Sequence, residues 1–108
     1  MSAKTPKLRP QTLVSLALLQ ELFLSNYRGD FARELRDRIW SRTESRLSLH
    51  MSSVLHCLDA LERAKVVSAV LLRPEPQLAP QKYYSLTAAG VERARNEHLM
   101  LLRLLGRA

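Results

Sequence analysis

Glycine is scarce in this chain: its 108 residues include three, set far apart at Gly29, Gly90 and Gly106. A phosphate-cradling loop or a dinucleotide fingerprint needs several glycines within a few residues, so both motifs are excluded and a nucleotide-dependent enzyme is not expected. Cysteine is scarcer still. Cys57 stands alone, cannot close an intramolecular disulfide, and suits a reducing, cytoplasmic setting. A thiol beside an apolar stripe with no basic neighbour in sequence reads as buried and inert rather than redox-active. Histidine offers little to a metal, since His50 and His56 are six residues apart, about 240° around a helix, and cannot hold one ion from one face. No motif sets a nucleophile beside a base and an orienting acid, so no catalytic residue, metal or cofactor is expected. Long apolar runs are also missing. Residues 13–24 are broken by Ser15, Gln20 and Glu21, and residues 99–105 by Arg103, short of the roughly 20 residues of a membrane span. The first ten residues carry Lys4, Lys7, Arg9 and two prolines in place of a cleavable apolar leader.

Acidic charge is the remaining deficit. Ten Asp and Glu against seventeen Lys and Arg leave a formal charge of +7, a field that attracts polyanions and makes nucleic acid the first partner to test. With 46% hydrophobic residues the chain carries enough apolar material for one folded domain, and its length leaves no room for a second.

The order of elements follows from periodicity. Residues 1–9 form a polar, basic arm, and Pro10 suits the first turn of a helix that runs from residue 11 or 12 to 24. Apolar side chains wrap most of that helix, more than one face packed on its own domain uses, so a second partner surface is implied. Asp30 is placed to cap a helix over 31–42, with Phe31, Leu35 and Ile39 inward and Arg33, Arg36, Arg38 and Arg42 largely outward. After a polar link, Met51, Val54, Leu55, Leu58 and Leu61 mark the inner stripe of a third helix. Residues 66–72 are β-branched and aliphatic at strand length, and residues 74–80 contain three prolines and must be a loop. Residues 82–86 return as a strand, and Thr87 caps a last helix from 88 to about 105. Helix, helix, helix, strand, turn, strand, helix is the order of a winged helix-turn-helix, mainly α with a small β-hairpin and an additional C-terminal helix. The expected division is the arm, a DNA-binding domain over 10–86 and a dimerisation helix over 87–108.

In such a fold the third helix is narrow enough to enter the major groove, while the hairpin tip reaches the backbone beside it. The face opposite the inner stripe offers His50, Ser52, Ser53 and His56 to base edges. Arg42 and Arg46 flank it, and Arg73, Gln77, Gln81 and Lys82 stand at the base and tip of the wing. No lysine or arginine lies between Arg73 and Lys82, which restricts charged wing contacts to the base. Trp40 is the residue that could stack a flat small-molecule effector, although a lone tryptophan at a helix end is more often partly buried packing.

The run Lys82-Tyr83-Tyr84-Ser85-Leu86-Thr87-Ala88-Ala89-Gly90 resembles the "KYYxLTxxG" signature of PadR-like bacterial transcriptional regulators. The leucine-rich first helix, residues 27–35 and residues 49–67 resemble further family segments. Met51 to Leu55 departs from the family's "PGTLY", with Ser53 in the threonine position, and Lys65 stands where the family has a turn glycine. The resemblance implies a homodimer whose first and last helices interlock, binding double-stranded DNA at a palindromic operator. The residues assigned to that interface are Leu16, Leu19 and Phe23 on the first helix and Val91, His98, Leu101, Leu102 and Leu105 on the last. Repression of transcription is the leading expectation. A plasmid or phage maintenance protein acting at replication or partition sites, or a winged-helix protein-interaction module, are the alternatives.

Overall fold

In the computed structural model the described residues are 10–107; the basic arm expected over 1–9 lies outside them. Seven elements follow in order: α1 Pro10–Leu24, β1 Asp30–Phe31, α2 Ala32–Arg42, α3 Met51–Arg63, β2 Val67–Leu72, β3 Gln81–Leu86 and α4 Ala88–Leu104. The fold is the expected winged helix, four helices with a small antiparallel sheet, but the sheet has a third strand. Its order is β1-β3-β2, with Phe31 opposite Tyr83 and Asp30 opposite Tyr84.

Strand β1 also corrects the expected cap. Asp30 is a strand residue, and α2 starts at Ala32 behind an extended Phe31 with no side-chain cap. The Asp30 carboxylate instead accepts from the Phe31 amide at 2.9 Å and from Arg38 Nη1 at 3.1 Å. Gly29 is what allows this crossing, because an added Cβ would collide with the Tyr84 carbonyl oxygen and lie 2.7 Å from the Tyr83 ring.

Helix α1 lies at the centre of the fold and meets α2, α3, α4 and β3. Val14, Leu18, Leu19 and Leu22 join Leu35, Ile39, Val54, Leu58, Leu61, Val67 and Tyr84 in one core. The apolar circumference of α1 is therefore largely covered by its own chain. Leu19, assigned from the sequence to a partner-facing surface, is 0% exposed and belongs to the core.

The inner stripe of α3 needs one exchange as well. Val54, Cys57, Leu58 and Leu61 are buried, whereas Leu55 is 47% exposed. At about 100° per residue Cys57 lies about 40° beyond Leu61 on one side of the buried arc and Leu55 about 60° beyond Leu58 on the other, so the arc extends to the small thiol and not to the leucine. The Cys57 thiol donates to the Gln11 carbonyl at 3.5 Å and ties α3 to the start of α1.

The junction from α3 to α4 explains the most distinctive stretch of sequence. Lys65 holds a left-handed φ of 62°, the conformation for which glycine would be preferred. The Thr87 hydroxyl donates to the Lys65 carbonyl at 2.7 Å and accepts from the Gly90 amide at 3.0 Å, capping α4. The Thr87 amide donates to the Val66 carbonyl at 3.1 Å. Helix α4 passes so close to this strand end that a Cβ on Gly90 would overlap the Val66 carbonyl oxygen. Threonine caps and glycine permits the approach, which gives the Leu-Thr-x-x-Gly pattern its physical sense.

Candidate nucleic-acid interface

Helices α2 and α3 form the helix-turn-helix, and their connection is built from side chain as well as backbone. The Thr43 hydroxyl donates to the Ile39 carbonyl at 2.9 Å and accepts from the Leu47 amide at 3.0 Å. Glu44 and Ser45 both take positive φ, and the Ser45 amide donates to the Trp40 carbonyl at 2.8 Å. Half-buried Leu47 and Leu49 then anchor the link to the core.

Ser52 and His56 are exposed on the side of α3 opposite its buried residues, and His50 is exposed at its N-cap. Ser53 is half-buried and sits on the flank. The same outward line continues through Asp59 and Arg63 at spacings of four, three and four from Ser52, with Arg63 Nη2 3.4 Å from the Asp59 carboxylate. Arg63 is absent from the set read off the sequence, although that spacing is its signal. Among the described residues Arg46, His50, Ser52, Ser53, His56 and Gln81 make no side-chain hydrogen bond.

The other expected contacts have partners inside the chain. Lys82 Nζ donates to the Glu62 carboxylate at 2.9 Å, and that hydrogen bond raises its pKa. Arg73 Nη1 donates to the carbonyls of Pro76 and Leu78 at 3.3 Å each and so holds the wing loop. Gln77 donates to the Glu75 carboxylate at 2.6 Å.

Arg42 belongs to a polar knot between α1 and α2. Its centre is Glu21, 3% exposed on a helix otherwise packed by leucines. The Glu21 carboxylate accepts from Arg42 Nε, from Ser25 Oγ and, at 3.1 Å, from Arg38 Nε. Burial alone would raise the Glu21 pKa; the hydrogen bonds from Arg42, Ser25 and Arg38 outweigh it and hold the carboxyl below its ordinary value. The same bond raises the pKa of Arg42. Arg38 then links Glu21 to Asp30, so one network joins α1, α2 and the first strand. Sequence patterning reads α2 as an arginine-rich outer face; its arginines in fact divide between this knot and solvent.

The residues assigned to a dimer interface are distributed unevenly. Leu16, Phe23, Val91, His98, Leu101 and Leu102 are half-buried, and Leu105 is exposed. His98 Nδ1 lies 3.2 Å from Gln20 Oε1, Gln20 donates to the Ala94 carbonyl at 2.9 Å, and the Phe23 and His98 rings are 5.4 Å apart. These contacts fasten α4 to α1 of the same chain. Leu99, Met100, Leu104 and Leu105 are left exposed over the last two turns, with Leu104 at 75%. Trp40 is 42% exposed beside Arg36, Asp37, Ser48 and Leu49 in a shallow groove.

Among the described residues no group of histidine, cysteine and carboxylate side chains is placed to hold a metal, and no helix is long and apolar enough to cross a membrane.

No protein-family model and no curated protein matches the sequence. Solved structures do. A PadR-like transcription factor from Bacteroides fragilis superposes with a TM-score of 0.67 at 19% identity, over 87% of this chain and 88% of that one. Pex from Synechococcus gives 0.65 at 21% identity, over 85% and 81%. A PadR family transcription regulator from Clostridium difficile gives 0.59 at 17% identity, over 85% and 95%. The chain thus has the winged-helix fold of PadR-like transcription regulators along most of its length.

Proposed function

We propose that the protein is a DNA-binding transcriptional regulator, a cytoplasmic repressor that acts as a homodimer on a palindromic operator. The observation that carries this reading is α3: a helix-turn-helix helix anchored by Val54, Cys57, Leu58 and Leu61, with Ser52, His56 and Arg63 outward, on a chain of charge +7. Hydroxyl and imidazole groups can donate to or accept from base edges and phosphates. Arg46 and Arg63 supply positive charge at the two ends of α3, and Arg73 and Lys82 supply it at the base of the wing. Engaging Arg42 or Lys82 with DNA requires exchanging a carboxylate partner for a phosphate.

Bidentate discrimination usually comes from Arg, Asn or Gln, and the first two turns of this face carry none of them. Direct readout is accordingly modest, supplemented by half-site spacing and DNA shape. Selection from random duplexes is the test. It should recover a palindrome whose half-sites lie about one helical turn apart. Replacing Ser52 or His56 with Ala should change preference among operator variants and leave thermal stability within about 0.5 kcal/mol, because both are exposed. Failure to enrich any sequence, with no salt-sensitive DNA binding, would favour the protein-interaction module.

Dimerisation in this reading uses the exposed end of α4 more than the stripe first assigned to it. Met100 and Leu104 lie on the open side, beside Leu99, Asn96 and Arg103. Burying each large apolar side chain is worth about 1.5–3 kcal/mol. Met100→Glu together with Leu104→Glu should therefore convert a dimer to a folded monomer in sedimentation. An unchanged dimer would move the interface elsewhere.

A further inference from the structure

The wing is badly furnished for DNA and well furnished for protein. Between Arg73 and Lys82 it carries Glu75 and no cation, and Val70, Leu71, Leu72 and Leu78 are all exposed. Val70 at 54% and Leu71 at 69% point to opposite faces of β2, so the strand is exposed on both faces there, while Pro74 and Leu78 farther out border a groove with Met51 and Leu55. Strand β2 is also a sheet edge, since β3 separates it from β1. Natural edge strands are blunted by lysine, proline or a bulge, because an open row of backbone groups pairs with any available strand. Val67-Ser68-Ala69-Val70-Leu71-Leu72 contains no charge and no proline, and it pairs with β3 without a bulge from Val67 opposite Leu86 to Leu72 opposite Gln81.

We infer that the β2 edge is a docking surface for the β2 edge of a second copy of this chain. The strands run antiparallel about a two-fold axis at Val70 and form one six-stranded sheet.

The register follows from the sequence. Facing residues in an antiparallel pair share a side of the sheet, so a symmetric pair must be centred on a residue. Centring on Val70 sets Leu72 against Ser68 and Leu71 against Ala69, large against small. It also leaves Glu75, in the turn beyond one strand's end, at the same end of the pair as Lys65 of the other copy, twice by symmetry. Centring on Ala69 would set Leu71 against Val67 and bring Leu72 to Val66, bulky side chains on both strands. Centring on Leu71 would bring Pro74 into the ladder, where it has no amide to donate.

A pair of six-residue strands buries far less than the roughly 800 Å² per partner of a stable complex. The contact is therefore weak in dilute solution and forms when two molecules are held side by side. On the proposed DNA-binding reading, neighbouring operators supply that condition, and wing-to-wing pairing makes their occupation cooperative.

Disulfide trapping tests the register without DNA. In full-length protein with Cys57→Ala, single cysteines are placed at Val70, Ser68 or Leu72 and oxidised with glutathione disulfide at a few hundred micromolar protein. Directly opposed Cα atoms about 4.5–5.5 Å apart fall within disulfide range. Val70→Cys should cross-link to itself at least tenfold faster than Ser68→Cys or Leu72→Cys alone, whereas a mixture of those two should cross-link to each other. Equal rates at all three positions, or fastest self-linking at Ser68, would overturn the proposal and leave the edge to a different partner or to none. A second arm uses Val70→Lys, an exposed change that preserves the fold. It should abolish cooperativity on DNA carrying two adjacent sites while single-site binding persists, strengthened if anything by the added cation; retained cooperativity would also overturn the proposal. If the unaltered protein binds no DNA, the regulatory reading fails while the cross-linking pattern still decides this one.

Discussion

Replacing Glu21 with Gln should cost the fold about 3 kcal/mol. Removing one partner of a buried ion pair costs about 3–5 kcal/mol because the other charge is left without compensation, and the half-exposed position of Arg42 puts this site at the low end. For a domain of this size roughly 4–8 °C of Tm accompanies each kcal/mol, so a drop of roughly 12–24 °C is expected by calorimetry. Acid should expose the same group. The carboxyl titrates below its ordinary value of 4.5 in the folded chain, so below that pH the unfolded state binds the extra proton first. The contribution of Glu21 is thus fully present above pH 4.5 and is lost as pH falls through the depressed folded pKa. Glu21→Gln should lack this component and show a shallower acid limb. A variant with the parent's Tm and acid limb would mean that the knot around Glu21 contributes nothing.

The larger effect is expected on DNA. If a dimer neutralises about 6–10 phosphates, affinity should fall by roughly 10³ to 10⁵ between 50 and 200 mM salt. Arg46 is the side chain with which to probe this. It is exposed and, among the described residues, makes no hydrogen bond, whereas Arg42→Ala would strand the buried Glu21 and confuse stability with affinity. Arg46→Ala should weaken all duplexes alike and reduce the slope of log affinity against log salt by about one for each copy bound. Fluorescence anisotropy over that salt range measures both. A salt-independent interaction would contradict an electrostatic DNA interface and favour a protein partner.

What the sequence made legible was local. The Thr87 cap, the proline-rich wing loop and the core-facing period of α3 each depend on residues within a turn or two; the first two appear where patterning puts them, and the third does so with Cys57 in place of Leu55. Strand β1 was not legible, because two residues become a strand only when Tyr83 and Tyr84 arrive from more than fifty positions away. The apolar wrap of α1 reads as a partner surface, but much of it is covered inside the chain by the three helices and the strand around it. Leu19 follows from that. Charge pairing was hidden for the same reason: Arg42 meets Glu21 across twenty-one positions and Lys82 meets Glu62 across twenty, so neither was recognisable as an internal pair. Of the expected DNA contacts, the exposed face of α3 is the part that local periodicity alone could specify.

That face is the central claim, and a tethered DNA-cleaving reagent tests it most directly. With Cys57→Ala and Ser52→Cys, an iron chelate attached at position 52 should cut the selected operator within the major groove of each half-site. The same chelate attached through Arg107→Cys, exposed just beyond the end of α4, should leave the half-sites intact. Cleavage from position 107 without cleavage from position 52 would contradict the account, since the DNA would then lie against a surface other than α3.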